Sequence, residues 1–307
     1  MTKQKDEKKE KAAKLKIEIN GVKGTFIEEV PNQIITATTT DAQERQLDYL
    51  AEKRWRKDNP EPEYTVTLHE KIQPKLQGKS LSYCGHIFSI VIHTNFNHKE
   101  TGLIVYKGKP AKIKDFGEMF KLKSRQSITN VLKELQSDNI VTKEGTKYFL
   151  NKEYHFMGKI EEKTIFSKLY HVSNRSLLNS VSQEAVGLLY KIVPLVNYTN
   201  GTVCFNPDEK DNEKVQAIIR EELAEYLEVT PRTVTDRMNE LVENGVILPI
   251  QIKNSVYYKV HPDFVAKIDY FAAQAIKMMI EEHKAVQLQL EKRRRNKKKK
   301  KQEEESE

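Results

Sequence analysis

Apolar and polar positions alternate through Leu15, Ile17 and Ile19 up to Asn20-Gly21. Asn-Gly accepts the positive φ angles of a type I′ turn, so this segment predicts a β-hairpin. A Thr-rich loop follows, and then Asp41 and Glu44, spaced to cap a helix that runs to Arg56 or Lys57 and stops before Asn59-Pro60-Glu61-Pro62. From about residue 81 the chain nearly repeats itself. The run Ile87-Phe88-Ser89-Ile90-Val91-Ile92 is apolar enough for a buried helix, and Asn95-Phe96-Asn97 and a short strand at 102–106 come after it. About a hundred residues later, 184–196, Asn197-Tyr198-Thr199-Asn200 and 201–205 give the same order. A duplication at that spacing makes a pair of domains, because solenoid repeats recur every 20–50 residues or so.

Each short strand leads to the same element. Residues 116–122 and 124–135 read as two helices joined by a short turn, and so do 223–229 and 230–241. Gly117 and Ala224 are small enough for the second helix to cross closely, and Ser124 and Thr230 are placed to cap it. Ile128, Val131, Leu132 and Leu135 recur at helical spacing, as do Val234, Met238, Leu241 and Val242. The first turn, Lys121-Leu122-Lys123-Ser124, is one residue longer than Glu228-Val229-Thr230. Two strands with a polar loop follow each pair, over 140–150 and 246–260, which is the wing of a winged helix. After the second wing, Val265, Ile268, Ala272, Ala275 and Met279 give a long helix a narrow apolar seam, suited to packing on its own domain or to forming a homodimer.

The expected fold is therefore mainly α with small β-wings (α+β), built on two tandem winged helix-turn-helix domains. The boundaries run as a disordered charged arm at 1–14, a hairpin and helix extension at 15–78, winged-helix domain 1 at 79–160 and domain 2 at 161–262. A C-terminal helix at 263–291 and a disordered basic and acidic tail at 292–307 complete the chain.

Charge changes this picture only once it is located. The formal net charge is +8, but residues 1–16 contribute +4 and 292–307 contribute +5, which leaves about −1 for everything between. The tails therefore explain the overall basicity, and specific nucleic-acid binding has to be argued from the interior. There, residues 107–147 carry +5 and residues 215–260 carry −2, so the first unit is the expected principal DNA surface. No apolar stretch is long enough to span a membrane and no signal peptide is evident. Two separated cysteines, Cys84 and Cys204, form neither a metal motif nor a disulfide framework, which suits a cytoplasmic, nucleoid-associated protein.

The polar faces of the second helices carry the candidate base-reading and phosphate-contacting groups. In the first unit these are Lys121, Lys123, Ser124, Arg125, Gln126, Thr129, Asn130 and Lys133, with Lys143 and Lys147 on the wing. In the second they are Thr230, Arg232, Thr235, Arg237 and Asn239, with Lys253 on the wing. Arg suits guanine O6/N7, and Gln or Asn suits adenine N6/N7. Gln77-Gly78-Lys79-Ser80 resembles the end of a P-loop, but position 73 is Gln and the phosphate cradle is incomplete. His86, His93 and His98 lie near Cys84, where packing is a better reading than zinc. No active site, metal or cofactor is expected.

The first unit resembles winged-helix domains of replication proteins from Firmicute plasmids and phages, most closely where the wing exits through Tyr148-Phe149-Leu150-Asn151-Lys152-Glu153-Tyr154-His155-Phe156-Met157-Gly158. Lys152 stands where that group commonly has Pro. The second unit, through Val193-Pro194, Asn197-Tyr198 and Val203-Cys204-Phe205-Asn206-Pro207, is similar to the second half of phage tandem winged-helix proteins. The resemblance covers about residues 80–265. It implies a sequence-specific double-stranded DNA-binding protein of replication-initiator type, acting with host replication or transcription proteins. A transcriptional regulator binding operator DNA, or a protein-interaction module, remains open at this point.

Overall fold

The computed structural model describes residues 14–19, 22–27, 61–96, 101–158, 165–252 and 255–267, with Leu50, Glu282 and Ala285 as isolated positions. The chain divides into two units, Met1–Glu61 and Pro62–Glu307. In the first, strands β1 (Lys14–Ile19) and β2 (Val22–Ile27) pair antiparallel on either side of Asn20-Gly21, with Ile19 opposite Val22. The helix expected from Asp41, the arm before Lys14 and the basic and acidic tail lie outside the described residues.

The second unit is mixed α and β with antiparallel pairing throughout its described strands. Strand β3 (Tyr64–Leu68) leads into helices α1 (His69–Leu76) and α2 (Leu81–Ile92), and then into β4 (Thr94–Asn95), β5 (Leu103–Tyr106) and β6 (Lys109–Pro110). A helix pair, α3 (Ile113–Phe120) and α4 (Arg125–Ser137), precedes the hairpin β7 (Val141–Glu144) and β8 (Lys147–Leu150) and the short β9 (His155–Phe156). The order then recurs with β10 (Phe166–Tyr170), α5 (His171–Ser180), α6 (Gln183–Ile192), α7 (Arg220–Tyr226) and α8 (Pro231–Glu243). The hairpin β11 (Ile247–Ile252) and β12 (Ser255–Val260) and the short β13 (Val265–Ala266) end it. In the first half β5 pairs with β4, β6 and β8; in the second, single bridges Val196–Val203, Cys204–Ala217 and Thr202–Lys259 do the same work.

The two halves match at a constant spacing of 102 residues from β3 through α2. Tyr64 corresponds to Phe166, Thr65 to Ser167, His69 to His171, Ser80 to Ser182, Gly85 to Gly187 and Phe88 to Tyr190. They are related by an approximate dyad. Strands β3 and β10 pair antiparallel at the centre of a sheet ordered β13-β10-β3-β9, and the corresponding residues Val66 and Lys168 face each other on the axis. Reciprocal hydrogen bonds flank it: Thr65 Oγ1 with His171 Nε2 at 2.7 Å, and Ser167 Oγ with His69 Nε2 at 2.9 Å. Thr67 Oγ1 meets His155 Nδ1 at 3.1 Å, and the other ring nitrogen of His155 meets the Tyr190 hydroxyl at 3.0 Å.

Helices α2 and α6 pack across the same dyad. Ser80 and Ser182 cap them by accepting from the amides of Tyr83 and Ala185. A Cβ on Gly85 would lie 2.0 Å from the Gln183 carbonyl oxygen, and one on Gly187 would lie 1.7 Å from that of Leu81. The glycines thus let the two backbones touch, and Phe88 and Tyr190 meet edge-on with centroids 5.8 Å apart. One continuous apolar core joins the halves through these helices.

Two segments depart from the expected layout. Residues 64–76, grouped by pattern with the N-terminal extension, form a strand and a helix inside the second unit, because β3 finds its partners in β9 and β10, about 90–100 residues onward. Val265 and Ala266, read as the first turn of a C-terminal helix, pair with Leu169 and Lys168 instead, since the edge of β10 offers unpaired backbone there. Apart from Lys267, Glu282 and Ala285, the remainder of that segment, and with it Ile268, Ala272, Ala275 and Met279 of the expected seam, lies outside the described residues.

Gly187→Ala is expected to lower stability by more than about 3 kcal/mol, since no side chain can yield to relieve a backbone clash. Gly145→Ala, at φ +58° with open space around it, is expected to cost about 1 kcal/mol. Chemical denaturation of both variants checks the contrast.

Burial holds His69 and His155 down at about 3 and His171 at about 4, in the last case against the pull of Glu63. The unfolded chain takes up these protons below its ordinary histidine value of about 6.5, so stability is present above that pH and is lost as pH falls from there toward 4. Each histidine contributes a slope of about 1.4 kcal/mol per pH unit over that window. Melting temperature is therefore expected to drop between pH 7 and pH 5, before most carboxylates titrate; an unchanged value would contradict the assignment.

Candidate nucleic-acid interface

Helix α4 is positioned by what it buries. Ile128, Leu132 and Leu135 enter the core, and the Ser124 hydroxyl accepts from the Ser127 amide to start the helix. A Cβ on Gly117 would lie 2.9 Å from Ile128 Cδ1, so α3 and α4 cross without a spacer. The turn between them closes with the Leu122 amide donating to the Gly117 carbonyl at 2.9 Å, matched in the second half by Val229 and Ala224 at 3.0 Å. Beyond that bond the first turn holds one more residue, Lys123, before its cap. Lys121 sits in the left-handed region at φ +56°, and its counterpart Glu228 does so at +57°.

Between α3, this turn, the start of α4 and the hairpin β7–β8 lies an open groove of about 1060 Å³. Six cations line it: Lys112, Lys114, Lys121, Lys123, Arg125 and Lys143. The single carboxylate is Glu118, held below its ordinary range by hydrogen bonds from the Tyr106 hydroxyl and the Lys107 ammonium, at 2.7 and 3.1 Å. Lys143 stands with its ammonium 5.6 Å from the Tyr148 ring centre. The Lys121 ammonium is turned to the second half, where it donates to the Val181 carbonyl; burial lowers its pKa, with Glu240 opposing.

The structure thus gathers Lys121, Lys123, Arg125 and Lys143 of the reading-helix and wing set with Lys112 and Lys114, which the basic run over 107–147 already places on the expected DNA surface. Gln126, Asn130 and Lys133 are exposed on the outer face of α4 and Thr129 is half-buried there. Gln126 donates to Asn130 Oδ1 at 2.8 Å, and Thr129 donates to the Arg125 carbonyl at 2.9 Å. Lys147 sits apart: strand alternation puts it with Glu144 and Phe149 in a second hollow on the other face of the hairpin.

The second half keeps the frame and changes the charge. Both halves start the first helix alike, with the Lys112 amide donating to Asp115 and the Ile219 amide to Glu222. In that register Lys114 corresponds to Glu221 and Lys121 to Glu228, while Arg125, the first residue of α4, corresponds to Pro231. Thr230 caps α8 by accepting from the Thr233 amide, and Thr235 donates to the Pro231 carbonyl. Arg232 and Asn239 are exposed, Arg232 within 3.8 Å of Asp236. Arg237 faces inward: it pairs with Glu184 at 3.0 Å and with Glu240, and donates to the Ser182 hydroxyl, fixing α8 on α6. Lys253 lies outside the described residues.

The other candidates are placed as packing. Lys79 pairs with Glu134 at 3.0 Å and Asp138 at 2.6 Å, and Ser80 caps α2, so this segment clamps α4. Cys84 and His86 are buried, His86 against the Phe120 ring and lowered by burial to about 4. Among the described residues no group of three or more His, Cys, Asp or Glu side chains could hold a metal ion, and no helix is long and apolar enough to cross a membrane.

Comparison of the chain with protein-family models, with curated proteins and with solved structures gives no match in any of the three.

Arg237→Ala is expected to destabilise by about 1 kcal/mol, because the half-buried Glu240 and the exposed Glu184 lose the cation they share and the Ser182 hydroxyl loses a donor. Arg232→Ala, at an exposed position, is expected to stay within about 0.5 kcal/mol of the parent. Thermal or urea denaturation separates the two.

Proposed function

We propose that the chain binds double-stranded DNA through two tandem winged helices and that the first makes the principal grip. The observation that carries this reading is the groove on which Lys112, Lys114, Lys123, Arg125 and Lys143 converge, where the second half has Ile219, Glu221 and Pro231 at the positions matching Lys112, Lys114 and Arg125. Affinity for a duplex comes largely from cations at phosphates, and sequence is read by side chains that reach base edges. In the first half both kinds of group adjoin: the lysines and Arg125 take the backbone, and Gln126, Asn130 and Lys133 on α4 read bases in the major groove.

The fusion of two unlike reading helices in one chain favours the replication-initiator type over a simple operator-binding dimer. Held about a dyad, they suit an asymmetric site or an imperfect inverted repeat bound without a second subunit. The acidic second half favours a partner role for that half, with a replication or transcription protein of basic surface as its occupant. Footprinting on DNA enriched by crosslinking in the host tests the assignment: clustered repeats on one replicon support initiation, and sites across promoters support regulation.

Replacing Lys112, Lys114, Lys123 and Arg125 by Gln is expected to weaken duplex binding at least about tenfold and to reduce the salt slope by up to about 0.9 for each phosphate no longer neutralised. The same change at Arg220 and Arg232 is expected to cost less than about threefold. Equal losses in a binding titration at several salt concentrations would remove the basis for ranking the halves.

A further inference from the structure

We infer that a second, smaller cleft at the seam of the two halves binds a nucleotide-sized anion. The cleft, of about 530 Å³, falls within the roughly 300–1,000 Å³ typical of small-ligand sites and is distinct in character from the open groove. One wall comes from the first half, with His93 at the end of α2 and the β5–β6 turn. The other comes from α5 of the second half, with Arg175, Leu178 and Asn179. Val105, Met119 and Leu178 give it an apolar floor.

Three features point to the ligand's chemistry. The rings of His93 and Tyr106 lie with centroids 5.5 Å apart and tilted 41° to each other, and both line the cleft, so either offers a ring face on which a base can stack. Arg175 and Lys107 line the cleft from the two halves as donors for a phosphate; Arg175 has one guanidinium nitrogen 3.4 Å from His171 Nδ1 and 3.7 Å from Glu63, which leaves its other N–H groups for the ligand. Lys107 is also held in place. It occupies the left-handed region at φ +50°, ahead of Gly108 at +76°, in a two-residue turn where Asn or Gly is the usual residue. Its ammonium is pinned by Glu118 at 3.1 Å. The Asn179 amide, exposed at the rim, is placed for a ribose or base edge.

Glu118 and Lys121 line both this cleft and the six-cation groove. A bound phosphate therefore adds negative charge beside the groove and competes with Glu118 for Lys107. Ligand and DNA oppose each other, each weakening the other by the same factor. This linkage rests on the DNA-binding reading above; occupancy of the cleft does not.

The test is calorimetric titration of the full chain with adenosine monophosphate, inorganic phosphate and adenosine, followed by titration with a DNA duplex. Saturable binding of adenosine monophosphate at one site, stronger than either fragment, is expected. Arg175→Gln and Lys107→Asn are each expected to reduce that affinity at least about tenfold with an unchanged melting temperature, and the Asn suits the turn. Saturating nucleotide is expected to raise the duplex dissociation constant about fivefold or more. Absence of saturable heat with all three compounds, or equal affinity in both variants, overturns the site. If Arg175→Gln weakens duplex binding as much as the groove substitutions do, the cleft belongs to the DNA path and the free-nucleotide assignment falls. Nucleotide binding without any duplex binding sustains the site and overturns the DNA reading instead.

Discussion

The crossing of α2 and α6 at Gly85 and Gly187 is the constraint on which the rest depends. Backbone meets backbone there, in an environment with no space even for a methyl group. Such an approach buries both helices on nearly all sides and brings β3 and β10 into register as the centre of one sheet. It also brings the corner before α6 against the α3–α4 turn: Gln183 donates to the Met119 carbonyl at 2.6 Å, and Lys121 reaches Val181. The turn that shapes the basic groove is therefore held partly by the other half of the chain.

The polar chemistry of the sheet follows from the same closeness. Threonine and serine hydroxyls on β3 and β10 are sealed from water and need partners, which histidines on α1, β9 and α5 supply. Burial keeps those rings neutral, so the seam is well satisfied at neutral pH and costly to keep once protons are available. Dyad symmetry survives where packing enforces it. It is lost on the solvent face of the helix pairs, where Lys114 and Lys121 in one half face the roles of Glu221 and Glu228 in the other, because exposed positions can change charge at little cost in stability.

Much of the helix-pair layout was legible in the sequence. The apolar spacing of Ile128, Leu132 and Leu135 and of Val234, Met238 and Leu241 marks the buried faces. Ser124 and Thr230 mark the starts, and the extra turn residue Lys123 is visible by alignment of one half on the other. The first strand of each half was not legible from periodicity, because Tyr64–Leu68 is short, rich in threonine and almost wholly buried. A comparison of the chain with itself at a spacing of 102 carries that signal, through Tyr64 and Phe166, Thr65 and Ser167, and His69 and His171. The pairing of Arg237 with Glu184 and Glu240 was hidden for a different reason: helical spacing places it beside the exposed set, and only the position of α6 turns it inward.

The sequence by itself determined where the second helix of each pair begins, which face it buries and where the charge lies, since caps, periodicity and composition act over a few residues. Only the tertiary structure decided that the two halves form one body about a dyad, that Lys112, Lys114, Lys123, Arg125 and Lys143 converge on one groove while Lys147 does not, and that a cleft opens at the seam. Those outcomes depend on contacts between residues about a hundred positions apart, and no local preference of the chain encodes the distance between them.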